Sequence, residues 1–154
     1  MTRTEQLGIL SAEGSVDGIV WEILGQTYRP KQVTEESFAW HATLPPGTFV
    51  PPHIHPTQHE YLYLLEGTLD FWLDGETVPA KPGDLATLAM GVPHGIYNNS
   101  KETAKALFWV APTRKLWDLF EGIHRLDPQT GETVAALAAE HEVEFLPPPP
   151  ESGS

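Results

Sequence analysis

Between Gly47 and Gly67 the chain reads Gly-Thr-Phe-Val-Pro-Pro-His-Ile-His-Pro-Thr-Gln-His-Glu-Tyr-Leu-Tyr-Leu-Leu-Glu-Gly, and no other stretch restricts its fold as strongly. His53 and His55 are two residues apart, so in an extended segment both side chains leave the same face. Pro51 and Pro52 cannot donate ladder hydrogen bonds, which points to a rim or edge position, and Pro56 breaks the strand. A turn over residues 56–59 would return the chain as a second strand and bring Glu60 alongside the histidine pair.

Two imidazoles and a carboxylate converging from neighbouring strands form a mixed nitrogen and oxygen ligand set. Such a set suits zinc, iron, nickel, copper or manganese better than calcium. The alternative is a group of solvated loop histidines. A second stretch, Gly83-Asp-Leu-Ala-Thr-Leu-Ala-Met-Gly-Val-Pro-His-Gly-Ile-Tyr-Asn98, weighs against it.

Together the two stretches resemble the paired signatures of the cupin superfamily. Gly47, His53, His55, Glu60 and Gly67 fill the first pattern; Gly83, Gly91, His94 and Asn98 fit the second, in which Ala89 replaces a turn proline. The resemblance covers roughly residues 40 to 112. It implies an all-β fold, a double-stranded β-helix (jelly-roll) barrel, with one divalent transition metal held by His53, His55, Glu60 and His94. Iron, manganese, nickel, cobalt, copper and zinc all accept such a set.

Composition narrows the partners. Nine basic against twenty-one acidic residues give a net charge of −12, which argues against nucleic acid, since phosphate binding needs a basic face. With no cysteine, neither a disulfide framework nor a thiolate site can form. No apolar run approaches a membrane span and the first residues lack a signal-peptide stretch, so no membrane partner and a cytoplasmic location are the default expectations. Thirteen glycines and fifteen prolines punctuate many short segments, as in an all-β chain.

In chain order, residues 1–17 read as a polar arm, 18–112 as the barrel, and 113–154 as short helices followed by a proline-rich tail. Gly18 to Leu24 suggests a first strand, and residues 26–33 could hold a second. From Ser37 the pattern alternates, with Phe38, Trp40, Ala42 and Leu44 inward and His41 on a solvated face. Phe49, Pro51, His53 and His55 are in phase. Glu60, Leu62 and Leu64 continue the ligand face, while Tyr61, Tyr63 and Leu65 look to a second covered layer. Glu66-Gly67 reads as a tight hairpin and Asp74-Gly75 as another. Asn98 is expected to satisfy backbone groups, and His59 to lie opposite Glu60 by parity. Thr113 is a candidate cap for a helix with Leu116, Leu119, Phe120 and Ile123 inward. A second helix over Thr133 to His141 would turn Val134, Leu137 and Ala138 inward, and His124 and His141 read as surface histidines rather than ligands.

The expected pocket is apolar and aromatic, lined by Phe38, Trp40, Phe49, Leu62 and Leu64, with Phe71 or Trp109 as further candidates. It suits a planar aromatic or enol-bearing small molecule better than a phosphorylated sugar, which would call for lysine or arginine. The ligand set and the helical tail, Ala-Ala-Glu-His-Glu-Val-Glu-Phe-Leu-Pro-Pro-Pro, look like single-domain proteins similar to quercetin dioxygenases. That likeness implies a metal-dependent oxidoreductase in which Glu60 serves as ligand and catalytic base. A non-catalytic, metal-containing sensor of a small molecule is the alternative. Exposed strand edges and the habits of the superfamily suggest a homodimer.

Overall fold

Glycine and proline cut the chain into short segments, and alternation within each turns one face inward. In the computed structural model, which describes residues 7–147, these segments form two antiparallel sheets. The six-stranded sheet runs β1 (Trp21–Ile23), β2 (Gln26–Val33), β3 (Phe38–Leu44), β10 (Ala104–Ala111), β5 (His59–Glu66) and β8 (Leu85–Leu88). The five-stranded sheet runs β11 (Glu144–Phe145), β4 (Phe49–Ile54), β9 (His94–Tyr97), β6 (Leu69–Leu73) and β7 (Glu76–Ala80). Helices α1 (Leu116–Arg125) and α2 (Gly131–Ala139) follow β10, completing an all-β double-stranded β-helix with a short helical extension.

The inward faces carry the core. Phe38, Trp40, Ala42 and Leu44 of β3 are all buried, as are Ala104, Ala106, Phe108 and Val110 of β10 beside them. Trp40 stacks on Phe108 at 5.1 Å and 14°, and Phe120 of α1 meets the Trp40 ring edge-on at 5.0 Å. Such aromatic pairs add roughly 0.5–1.5 kcal/mol each beyond their area burial, so this cluster fixes α1 on the sheet. The Asp74-Gly75 turn joins β6 to β7 with both residues at positive φ, the backbone a two-residue hairpin requires.

Four expectations need correction. Glu66-Gly67 is a crossover rather than a hairpin: β5 pairs with β10 and β8, whereas β6 pairs with β7 and β9 in the other sheet. Gly67 turns this corner at φ 76°, where a Cβ would lie 2.8 Å from the Ala104 Cα and the Thr103 carbonyl oxygen. The outer face of β5 is not covered, for Tyr63 and Leu65 are exposed beside an exposed Leu85. Thr113 does not cap α1; its hydroxyl donates to the Thr34 carbonyl, and Lys115 stands at the helix start without a side-chain cap.

His41 is not freely solvated either. It is half-buried between Arg29 and Leu107 of the flanking strands, and its Nδ1 has no hydrogen-bond partner. Burial, then the cations Lys31, Lys105 and Arg29, push its pKa down. α2 begins at Gly131, with Thr130 and Thr133 forming a reciprocal cap. Among the described residues no helix is long and apolar enough to cross a membrane. Residues 1–6 of the arm and the Pro148 to Pro150 run lie outside the described residues.

Candidate metal centre

β4 and β9 are antiparallel neighbours in which His53 faces His94, and His55 follows directly after the last residue of β4. Glu60 comes from β5 in the opposing sheet. Three histidines from one sheet therefore meet a carboxylate from the other. One ligand atom from each of the four residues lies within 4.8 Å of all the others. All four side chains are buried.

Hydrogen bonds at the far ring nitrogens set the tautomers. His53 Nδ1–H donates to the Pro51 carbonyl at 2.8 Å, and His55 Nδ1–H donates to Gln58 Oε1 at 2.7 Å. His94 Nδ1 faces the Val92 carbonyl at 3.3 Å. Each Nε2 is thereby turned toward one shared point. There His53 Nε2 sits 3.1 Å from His55 Nε2, while Glu60 Oε1 lies 3.0 Å from His55 Nε2 and 3.2 Å from His94 Nε2.

The electrostatics follow from that crowding. Burial, reinforced by His94 and His55, holds His53 well below the usual imidazole range. Burial also opposes charge on His55, but Glu60 outweighs it and raises the His55 pKa. Glu60 is pulled well below the carboxylate range although burial acts the other way, because His55 and His94 face its oxygen. Nitrogen lone pairs and a carboxylate packed around one point, out of water, are stabilised by a shared cation. The donor set, three imidazoles and a carboxylate, fits one divalent transition metal without selecting which.

Gln58 is the member that sequence reasoning missed. It is buried, its Oε1 accepts from His55, and its Nε2 donates to the carbonyls of Pro112 and Thr113 at 2.9 Å each. One signal was present, since Gln58 precedes Glu60 by two residues and so shares its face. His59 lies on the exposed side, where its Nδ1 accepts from the Met90 amide in the loop ahead of His94. Asn98 donates to the Leu44 and Glu102 carbonyls, a backbone role. His124 accepts from the Glu22 amide, and His141 contacts the Leu137 carbonyl; neither joins the cluster.

A cavity of about 50 Å³ opens beside the cluster. His53, His55 and Glu60 form one wall, Tyr28, Trp40 and Phe108 a second, and Leu116, Leu119, Phe120 and Ile123 of α1 the roof. Phe145 of β11 closes the end, its ring stacked on His53 at 5.4 Å and 23°.

Of the residues expected to line the pocket, Trp40 does. Phe38 is packed among Trp21, Trp117 and Phe120 instead. Leu62, Leu64 and Phe71 point inward but are spent in the core. Trp109 stacks on Tyr61 on the opposite face of the sheet from Phe108. Phe49 is half-exposed and stacks on Tyr97, because the register between β4 and β9 shifts between Val50 and His53. That irregularity, at Pro51 and Pro52, changes the phase, so Val50 rather than Phe49 shares the cavity with the histidines.

Two antiparallel sheets enclosing three histidines and a glutamate define the cupin class. The chain carries a cupin domain, for residues 40–110 match the family described by that name. It is 35% identical over 75 residues to the tetracenomycin polyketide synthase protein TcmJ of Streptomyces glaucescens, covering 49% of this chain and 50% of that protein. It is 37% identical over 57 residues to quercetin 2,3-dioxygenase of Bacillus subtilis (strain 168), covering 37% of this chain and 17% of the enzyme. The chain thus spans half or less of the curated relatives it matches. Among solved structures, an RmlC-like cupin from Shewanella frigidimarina NCIMB 400 superposes with a TM-score of 0.65 at 19% identity. That match covers 76% of this chain and 99% of the other, and establishes likeness of fold.

Proposed function

We propose that this chain is a metal-dependent enzyme of the dioxygenase type acting on a small aromatic or enol-bearing substrate. The observation that carries the reading is the buried cluster of His53, His55, Glu60 and His94 opening directly onto an aromatic cavity. The relatives' names lend support, since quercetin and polyketides alike carry carbonyl and enol oxygens.

A divalent transition metal held by these four residues would supply Lewis acidity toward a substrate oxygen and, if redox active, a path for electrons. The remaining work falls to the chain. Trp40 and Phe108 offer a stacked aromatic wall that orients a planar ring. Leu116, Leu119 and Phe120 of α1 keep water from the cavity, which strengthens every polar interaction inside it. Glu60, the carboxylate on the cavity wall, would take the enol proton at a carboxylate oxygen once its contacts with His55 and His94, which keep it ionised but weakly basic, are relaxed.

The test is an oxygen electrode. Metal-loaded protein should consume oxygen with a member of a panel of flavonols and small enols, and Glu60→Gln should keep its metal while turnover falls at least about 100-fold. A metal-loaded sample that consumes no oxygen with any panel member contradicts the reading.

A further inference from the structure

Away from His53, His55, Glu60 and the Tyr28 hydroxyl, the cavity wall is apolar except in one respect. Trp40 lines it and is 2% exposed, yet its indole Nε1–H has no hydrogen-bond partner. On the adjoining strand Tyr28, also on the wall, donates its hydroxyl to Gln26 Oε1 at 2.8 Å. Gln26 shares the inward face of β2 with Tyr28, is 0% exposed, and its Nε2 is likewise without a partner. A buried donor left unmade costs roughly 1–3 kcal/mol, so two on neighbouring strands of one inward face call for an explanation.

Both are donors. Gln26 does not line the cavity but stands behind Tyr28, whose hydroxyl takes up its Oε1, and Glu60 is engaged by His55 and His94. A ligand that answers Trp40 must therefore bring an acceptor oxygen, rather than an N–H or O–H group, to that point. We propose that the cavity is a subsite for the carbonyl or enolate oxygen of a planar ring, anchored by Trp40 Nε1–H. This deepens the reading of the cavity as a substrate site and names the polar feature the substrate must carry there. At about 50 Å³ the space takes the oxygen-bearing edge of a single ring, so α1 or Phe145 must give way for anything larger.

The probes are acetophenone and α-methylstyrene, which share a shape and differ by a carbonyl oxygen against a methylene. They are added to metal-free, ¹⁵N-labelled protein and read by the tryptophan indole resonances, with Trp40→Phe assigning the Trp40 signal. Acetophenone should bind at least about fivefold more tightly than α-methylstyrene and alone move the Trp40 Nε1–H signal downfield. Equal binding of the two probes, binding of acetophenone with an unmoved Trp40 signal, or no binding up to its solubility each overturns the proposal. Because no metal and no turnover are involved, failure here is separate from failure of oxygen uptake.

Discussion

Gln58 links two parts of the molecule through one amide. Its oxygen fixes the proton of His55 on Nδ1, leaving Nε2 to face the shared point, while its nitrogen holds the carbonyls of Pro112 and Thr113 where the chain leaves β10 for the helices. Partners of this kind orient a ligating ring and sustain its basicity. Gln58→Leu should therefore weaken metal affinity by about 10–100-fold with the far-ultraviolet spectrum unchanged, as read by competition against a chromophoric chelator. The four residues of the candidate centre were legible because their spacing is local: two histidines on one strand face, a glutamate past a proline turn, and a third histidine after glycine and proline. Gln58 was not, because the carbonyls that give it a role lie 54 and 55 residues away.

Strand parity located the inward faces of β3 and β5, and it failed where the ladder is irregular. Prolines 51 and 52 interrupt the pairing of β4 with β9, and the phase carried back from His53 to Phe49 is lost across them. The crossover after β5 was misread for a related reason, since a glycine at a turn reports positive φ but not which strand comes next. What decides it is the contact with β10 across the sheet. Gly67→Ala would add strain at φ 76° and drive a Cβ against the backbone of Thr103 and Ala104. The substitution should lower stability by about 2 kcal/mol or more in urea denaturation. A loss near zero would mean that this corner gives way easily.

At the scale of the whole molecule, the two sheets hold the three histidines and Glu60 in opposition, and α1 and β11 line the space beside them. Tertiary packing of α1 and β11 determines the cavity walls, which is why sequence pattern found the centre but only one of the five residues assigned to its pocket. The proposed chemistry requires His53, His55, Glu60 and His94 to hold one cation between the sheets. Elemental analysis of protein purified without chelators and then offered iron, manganese, nickel, cobalt, copper or zinc tests this most directly, with His94→Ala measured alongside. The predicted result is one equivalent of a transition metal per chain, lost or weakened at least about 100-fold in His94→Ala. Failure to retain any of these metals, or a full equivalent held undiminished by His94→Ala, would contradict it.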